Sequence, residues 1–376
     1  MRLILHIGMP KTGTSTLQGA LIANRDVLAR AGAVYPEPLW GKLSHNYLTS
    51  LVQPMEDMPR EFASGGEDFE ASRARGDQFT FDAIRARGEE FWRHVRRQAT
   101  DSGADVVIVS SEYCYGLADH KIESLRSMLA ELTDDIEVVC YVRHPAEYYV
   151  SLTQQMVRAS HQIVSPARFR MRARECLARF QSIFDGRVRV RPYDRTQLLG
   201  RDIVTDFVTS FVPSGADVVA DLDVVDRNES MSAEAMCILQ RLRRHEWADQ
   251  NGQFAPESTH VRLVLNADRE GDAQTPARLD PKLDTWIVAR HRDDLAFLRE
   301  QFGIDLGTDH EAIAAAHDEG PPPVSQSHDL AEILAVDESH IEHTLYALVR
   351  SLADRDLHGD GSDVERRGLR LDGGGQ

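Results

Sequence analysis

The residues best suited to chemistry stand near the start of the chain, where glycine, lysine and hydroxyl side chains lie close together. Gly8 and Gly13 have the G-x-x-x-x-G spacing of a loop that binds phosphate. Such a loop directs backbone N–H groups, and the positive end of the following helix, at an anion. Lys11 lies inside the loop, and hydroxyl residues occupy 14–16. The pattern predicts a phosphate site, with an ordinary glycine turn before a helix as the alternative.

The position of the lysine separates this loop from that of a nucleotidase. A Walker A loop carries its lysine directly after the second glycine, whereas this chain has Thr14 there and its lysine at Lys11. No later predicted strand ends in an aspartate suited to magnesium. The sequence therefore disfavours metal-dependent hydrolysis of ATP or GTP. A kinase or nucleotidase with an atypical loop, or a nucleotide-binding protein without chemistry, stays an alternative.

A second candidate anion site lies further along the chain. Arg143 directly follows an apolar run that predicts a buried strand, and Ser151 follows eight residues later in the helix that Pro145 introduces. Open α/β proteins bind ligands at the carboxyl ends of their strands. An arginine fork with a hydroxyl suits a second phosphate. The alternative is a surface arginine before a helix.

The elements that would hold these residues alternate between strands and helices. Strands are predicted over 2–7, which alternates and is rich in β-forming residues, over the continuous apolar runs 105–110 and 136–142, and over 187–193, where arginine and valine alternate. Helical spacing predicts helices over 14–31, 81–100, 119–132, 145–159, 165–186, 197–211, 230–243 and 285–302, and one or two more over 329–353. The fold class expected is α/β, a three-layer P-loop type with a central parallel sheet flanked by helices and a helical C-terminal part.

The charge balance narrows the range of partners. With 43 basic and 60 acidic residues, the chain has a formal net charge of −17. Nucleic acid is not an expected partner, because broad binding to it needs a basic face. The mean field also disfavours a highly anionic polymer. A single anionic ligand in a locally positive pocket is compatible with this balance.

Cysteine usage and hydropathy indicate a reduced protein without a membrane span. The cysteines at 114, 140, 176 and 237 are far apart, so we expect buried small side chains rather than a disulfide frame. No apolar run reaches the length of a membrane span, and the apolar start at 2–7 is too short for a signal segment. We expect the mature chain to begin at or near Met1 and to stay in the cytoplasm.

Together the two anion motifs resemble those of the sulfotransferase family, whose members carry sulfate on 3′-phosphoadenosine 5′-phosphosulfate (PAPS). Similarity to the bacterial branch extends to Val34-Tyr35-Pro36, Ser110-Ser111-Glu112 and Tyr141-Val142-Arg143. The resemblance implies that the 5′-phosphosulfate is gripped by Pro10, Lys11, Thr12, Gly13, Thr14, Ser15 and Thr16. It also implies that Arg143 and Ser151 grip the 3′-phosphate. Tyr193 would lie near the adenine, with core packing as the alternative.

The resemblance further implies a reaction, the in-line transfer of a sulfuryl group to an acceptor hydroxyl or amine. The leaving oxygen gathers negative charge, and Lys11 is the candidate cation for it. A base takes the acceptor proton, and two residues compete for this role. Glu112 ends a predicted strand, and His45 lies in a loop with an ordinary pKa of about 6.5. We expect no metal, because a sulfuryl group carries less charge than a phosphoryl group.

Composition and resemblance together divide the chain into three parts. We expect a PAPS-dependent sulfotransferase domain over 1–310 with an aperiodic insertion at about 53–80, a helical extension over 311–355 and disorder over 356–376. The expected acceptor is a glycan, a lipid or a small molecule, since the net charge disfavours a sulfated polymer. The residues set neither the particular acceptor nor the oligomeric state.

Overall fold

The structure is a computed structural model that describes residues 1–53, 81–224, 230–248, 256–267, 276–307, 310–336 and 338–358. The chain is divided into two compact units. The first comprises Met1–Arg143, Arg172–Arg227 and Phe297–Ile304, and the second comprises His144–Met171, Asn228–Ala296 and Asp305–Gln376. Most of the predicted insertion at 53–80 and most of the tail at 356–376 lie outside the described residues. The domain boundaries at 310 and 355 stay predictions.

A five-stranded sheet forms the centre of the first unit. Its strands are β1 (Arg2–His6), β2 (Ala33–Val34), β3 (Val106–Ser110), β4 (Ile136–Val142) and β5 (Val188–Pro192), in the spatial order β2-β3-β1-β4-β5. All neighbouring pairs are parallel. Leu3, Ile4 and Leu5 are fully buried, so both faces of β1 are covered. The predicted α/β class with a parallel sheet is confirmed, and the arrangement is consistent with three layers.

Helices occupy most of the chain between and after the strands. In chain order they are α1 (Thr14–Ala23), α2 (Arg25–Arg30), α3 (Phe81–Ser102), α4 (Asp119–Ala130), α5 (Pro145–Ala159), α6 (Ala173–Ile183), α7 (Ile203–Phe211), α8 (Gly215–Val218), α9 (Ala233–Glu246), α10 (Pro256–Ala267), α11 (Pro281–Arg290), α12 (Arg292–Phe302), α13 (His310–Glu319), α14 (Leu330–Ile333) and α15 (Glu338–His358). The second unit contains α5, α9, α10, α11, α13, α14 and α15.

One face of the sheet is packed by α1 and α7. Leu17 and Leu21 lie one turn apart on α1, and they share a buried cluster with Phe207 of α7 and with Ile4 and Ile108 of the sheet. Burying each of these large apolar side chains contributes about 1.5–3 kcal/mol. This packing fixes α1 against the sheet, and with it the loop that precedes α1.

The helix expected over 14–31 is two helices, and the break is at Asn24. The Asn24 side chain donates to the Ala20 carbonyl at 2.8 Å and to the Asp223 carbonyl at 2.9 Å. It also accepts a hydrogen bond from the Asp223 N–H at 2.7 Å. These long-range bonds to the backbone hold Asn24 in a non-helical conformation.

Two further helix predictions were wrong in their extent. The helix expected over 165–186 begins only at Ala173, because Pro166–Arg168 forms a single 3-10 turn and Arg172 has a left-handed φ of 59°. The helix expected over 285–302 begins at Pro281 and is interrupted at His291. His291 donates through Nδ1 to the Ile287 carbonyl at 2.7 Å and accepts from the Met171 N–H at 3.1 Å.

One strand was missed from the sequence. Ala33–Val34 pairs with Val106 and Val107 at the edge of the sheet. A two-residue strand is too short to show a hydrophobic period. The helix expected over 197–211 likewise starts at Ile203, after a 3-10 turn at Leu199–Arg201.

The state of the cysteines and the hydropathy of the helices can be compared with the composition of the chain. The cysteines at 114, 140, 176 and 237 are buried and form no disulfide, as their spacing predicted. Among the residues described above, no helix is both long enough and apolar enough to cross a membrane.

Candidate anion-binding site

The candidate residues of the first unit stand at the carboxyl edge of the sheet. The loop 7–13 follows β1, Glu112 comes just after β3, Arg143 follows β4, and Tyr193 follows β5. Parallel strands bring these ends to one edge, with β1 between β3 and β4. The loop therefore lies at the middle of the edge, where open sheets bind ligands.

The loop has three left-handed backbone positions. The φ angle is 31° at Gly8, 69° at Lys11 and 75° at Gly13. Glycine adopts this region without a steric cost, whereas a lysine there costs about 1–2 kcal/mol. The Thr12 hydroxyl donates to the Met9 carbonyl at 2.6 Å, which closes the loop on itself. Backbone strain of this kind clusters at ligand sites.

The start of α1 offers hydrogen-bond donors toward the loop. The Leu17 N–H donates to the Gly13 carbonyl at 2.9 Å, so the amides at 14–16 precede the first helical hydrogen bond. No side chain caps this helix, because Gly13 is the capping residue. The Thr14 hydroxyl is buried without a hydrogen-bond partner among the described residues. A helix N-terminus with an unsatisfied buried hydroxyl suits an anion.

Arg143 joins the loop to the end of β4. Its Nη1 donates to the Lys11 carbonyl at 3.2 Å, and its Cζ lies 5.5 Å from the centre of the Tyr193 ring. Tyr193 lies against Gly13, where a β-carbon would be 2.8 Å from its Cε2. These four residues, Lys11, Gly13, Arg143 and Tyr193, form the loop cluster. They place two cationic side chains at one sheet edge of a chain with a net charge of −17.

A buried carboxylate fixes the two strands that lead to the loop cluster. Asp206 of α7 is fully buried. It accepts from the Tyr141 hydroxyl at 2.7 Å, from Nε and Nη2 of Arg191 at 2.6 and 2.5 Å, and from the Leu199 N–H at 2.9 Å. The bond to Asp206 raises the pKa of Arg191, and burial raises the pKa of Tyr141. Tyr141 and Arg191 each lie two residues before a member of the loop cluster, so Asp206 orients both strand ends.

A buried histidine, His6 of β1, lies beside the loop, since a β-carbon added at Gly8 would be 3.2 Å from its Cε1. His6 is fully buried, and its Nδ1 lies 2.8 Å from the Ser110 hydroxyl, which also accepts from Gln18 Nε2 at 3.0 Å. Burial lowers the pKa of His6 to about 4, so the ring is neutral at pH 7. The network joins β1, β3 and α1. In the sequence, this network could be recognised as polar residues at positions where the surrounding apolar pattern predicts burial.

The two candidate bases lie on adjoining segments. The His45 N–H donates to the Ser110 carbonyl at 2.8 Å, and the Ser110 N–H donates to His45 Nδ1 at 3.1 Å. The Ser111 hydroxyl donates to Asn46 Oδ1 at 2.8 Å. Glu112 begins the next 3-10 turn and is partly exposed. Two motifs that are far apart in sequence therefore meet at the end of β3.

The environments of the two candidate bases differ. His45 is fully buried, and its second ring nitrogen, Nε2, lies 2.9 Å from the Pro36 carbonyl. Burial lowers the pKa of His45 to about 4. Both of its ring nitrogens are therefore engaged with backbone, and its ring packs against Tyr35 with centroids 4.6 Å apart. Glu112, which is partly exposed at the sheet edge, is the better placed of the two to meet an acceptor.

Other predicted site residues occupy different surroundings. Pro10 is partly buried, Ser15 is exposed and Thr16 is buried. Ser151 belongs to the second unit, within α5, and is partly exposed. Its predicted role stays a prediction. In the described stretches of the chain, no group of three or more histidine, cysteine or acidic side chains is arranged to hold a metal ion.

No protein-family model, curated protein or solved structure matches this chain. The fold and the candidate site by themselves define a class of protein. It is an α/β protein with a parallel sheet, a glycine-lysine loop at the middle of the carboxyl edge, and an arginine bonded to that loop.

Proposed function

We propose that the protein is a PAPS-dependent sulfotransferase, acting on a hydroxyl or amine of a carbohydrate, lipid or small-molecule acceptor. The observation that supports this most is the hydrogen bond from Arg143 to the Lys11 carbonyl. It brings a second cationic residue to the loop that contains Lys11. A nucleotide with phosphate groups at both its 5′ and 3′ ends would match two such positive groups.

The loop would bind the 5′ end of the donor. Amides at the start of α1 and the Thr14 hydroxyl would donate to the 5′-phosphate. Lys11 would stand at the bridging oxygen between phosphorus and sulfur, where negative charge develops as the bond breaks. Arg143 would bind the 3′-phosphate as a fork, and Tyr193 would pack near the adenine.

The transfer itself needs one proton acceptor. The acceptor oxygen would attack sulfur as its proton passes to the Glu112 carboxylate, and the sulfur–oxygen bond to the 5′-phosphate would break. The electron pair of that bond stays on the phosphate oxygen, which Lys11 stabilises. The products are a sulfated acceptor and adenosine 3′,5′-bisphosphate, and Glu112 afterwards returns its proton to water.

The competing proposal is a kinase or nucleotidase with an atypical loop. Thr14 stands where a Walker A loop has its lysine, which supports the sulfotransferase instead. Calorimetric titration separates the two: we expect tight binding of adenosine 3′,5′-bisphosphate without magnesium. Tight binding of magnesium-ATP with no response to the bisphosphate would overturn the proposal. A labelled-sulfate assay across sugar, lipid and small-molecule acceptors then tests turnover.

The variant Arg143→Gln makes this test more specific, because it removes the guanidinium group that is assigned to the 3′-phosphate. We expect binding of adenosine 3′,5′-bisphosphate to weaken about 10- to 100-fold, corresponding to about 1.5–3 kcal/mol for a charge-assisted contact. Binding of adenosine 5′-monophosphate should change little. Arg189→Gln is the matched control, since Arg189 is exposed on β5 and pairs with Glu137 at 2.8 Å. Equal losses for both nucleotides would contradict the 3′-phosphate assignment.

A further inference from the structure

A group of arginines in the second unit has no role in the proposed sulfuryl transfer. Arg158 lies in the last turn of α5, Arg243 in the last turn of α9, and Arg262 within α10. Three helices thus bring guanidinium groups toward one another in a chain with 17 more acidic than basic residues. Whether these arginines can bind a ligand depends on the hydrogen-bond and ion-pair partners that each of them already has.

Arg243 holds the three helices together. It is fully buried, and it donates to the Ala159 carbonyl at 3.0 Å, to the Arg158 carbonyl at 2.6 Å and to the Ser258 hydroxyl at 2.7 Å. The carbonyls at a helix C-terminus carry partial negative charge, which stabilises a cation there. The role of Arg243 is therefore structural: it fixes the end of α5 against α10.

This anchoring sets Arg262 toward the end of α5. Arg262 follows Ser258 by four residues, so both lie on the same face of α10. Ser258 is bonded to the guanidinium that also binds the Arg158 carbonyl. The Arg158 and Arg262 side chains consequently extend from two helices that a single buried residue joins.

Neither of these two arginines has a counter-charge in the described part of the chain. Arg158 Nε is buried without a hydrogen-bond partner, and Arg262 takes part in none of the ion pairs between described residues. Neighbouring arginines on α9 differ: Arg241 pairs with Glu338 at 2.8 Å, and Arg244 pairs with Asp329 at 3.0 Å. Arg158 and Arg262 thus differ from Arg241 and Arg244, which each have a carboxylate partner.

The pair carries an electrostatic cost. Burial, and then the like charge of Arg262, lower the pKa of Arg158. Guanidinium groups are positively charged side chains with hydrogen-bond donors and no acceptor. A partly buried guanidinium next to a like charge, with no anion beside it, destabilises the fold. An oxyanion between two planar guanidinium forks would remove this cost and accept several charge-assisted hydrogen bonds.

We propose that Arg158 and Arg262 form a binding site for an oxyanion, the carboxylate, phosphate or sulfate group of a small-molecule ligand. The site lies wholly within the second unit and uses no residue of the loop cluster. It does not rest on the proposed sulfotransferase activity. A ligand held there would be an acidic small molecule, bound at a place that the sequence did not indicate.

The test is thermal unfolding in the presence of sodium phosphate, sodium sulfate or sodium glucuronate, with sodium chloride at matched ionic strength as reference. Adenosine 3′,5′-bisphosphate at saturation blocks the phosphate loop in a parallel series. The wild type should show a rise in Tm with at least one oxyanion in both series. The inorganic ions and the glucuronate distinguish a free anion from the acid group of a sugar.

Arg262→Gln should abolish this rise, with binding of the effective anion about 10- to 100-fold weaker. The same variant should unfold at an equal or higher Tm in chloride, because it removes a like-charge repulsion. Arg158→Gln provides a second variant, and Arg241→Gln, which lowers the net charge equally, is the control that keeps the response. The proposal is overturned if no oxyanion raises the wild-type Tm, or if Arg262→Gln responds as the wild type does.

These outcomes separate the two proposals. If adenosine 3′,5′-bisphosphate fails to bind but the oxyanion response still depends on Arg262, the sulfotransferase proposal fails and the arginine site stands. If the nucleotide binds and turnover occurs while Arg262→Gln changes no anion response, the arginine site fails alone.

Discussion

Arg143 and Lys11 are joined by a hydrogen bond of 3.2 Å from the guanidinium Nη1 to the backbone carbonyl of Lys11. The bond goes to the backbone of Lys11, so it does not use the Lys11 ammonium group. The two residues are far apart in sequence, and they meet because β1 and β4 are neighbours in the sheet. The contact brings two cationic residues together at one edge of the sheet in an acidic protein.

Replacing Lys11 tests the catalytic role assigned to the loop. Lys11→Met should lower kcat about 10²- to 10³-fold, because it removes the cation at the leaving oxygen. The change in unfolding free energy should be small, since Lys11 is only partly buried. Steady-state kinetics and urea unfolding measure the two effects, with Lys282→Met, at an exposed lysine, as control. Unchanged turnover in Lys11→Met would reject the role.

Replacing Glu112 distinguishes the two candidate bases. Glu112→Gln should reduce kcat about 10²- to 10⁴-fold, and the acid limb of the pH–rate profile should disappear. Binding of adenosine 3′,5′-bisphosphate should remain as in the wild type. Glu123→Gln, at an exposed position of α4, controls for the loss of one negative charge. A Glu112→Gln enzyme with the wild-type rate and pH profile would transfer the role to another group.

Gly13 and Gly186 form a matched pair for the contact between the loop and Tyr193. Both have left-handed backbone, with φ of 75° and 77°, but an added β-carbon meets Tyr193 Cε2 at 2.8 Å only at Gly13. Alanine at either position should cost about 1–2 kcal/mol in unfolding free energy from strain alone. Gly13→Ala should cost more, and it should weaken nucleotide binding at least about tenfold.

The double variant Gly13→Ala with Tyr193→Ala identifies the source of the extra cost. Removing the ring leaves the strain and relieves the crowding, so part of the lost stability should return. Denaturant unfolding of the four proteins forms a double-mutant cycle. Equal stability of the Gly13→Ala and Gly186→Ala variants would show that the Tyr193 contact is loose.

The buried histidines predict an acid-sensitive fold. Burial lowers the pKa of His6 and of His45 to about 4, whereas an unfolded histidine titrates at about 6.5. Below pH 6.5 these two histidines bind protons in the unfolded state, whereas in the folded state they stay neutral until the pH approaches 4. Stability present above about pH 6.5 should therefore fall as the pH drops toward 4, by at most about 1.4 kcal/mol per pH unit for each imidazole.

Urea unfolding between pH 7.5 and 4.5 measures this slope. His6→Gln should make the slope shallower by its own share, whereas His343→Gln, at an exposed position of α15, should leave it unchanged. A stability that is constant from pH 6.5 to 4.5 would mean that both rings accept protons in the folded state.

The local features of the fold were predictable from the residues alone. Continuous apolar runs predicted β3 and β4, because parallel strands can be buried on both faces, and alternating patterns predicted β1 and β5. The spacing of Gly8 and Gly13 predicted the loop, since left-handed positions favour glycine. The same segments predicted where the strands end. They therefore also predicted that Glu112, Arg143 and Tyr193 lie at the carboxyl edge of the sheet.

Long-range packing decided the rest. The break at Asn24 depends on hydrogen bonds with Asp223, which lies 199 residues away. Strand order placed β1 beside β4, so that Arg143 meets the Lys11 carbonyl. Burial engaged both ring nitrogens of His45, which its sequence surroundings did not indicate. Spacing along the chain determines which residues share a strand or a helix face. Only the packed sheet determines which of them come within hydrogen-bond distance, because that depends on elements far apart in sequence.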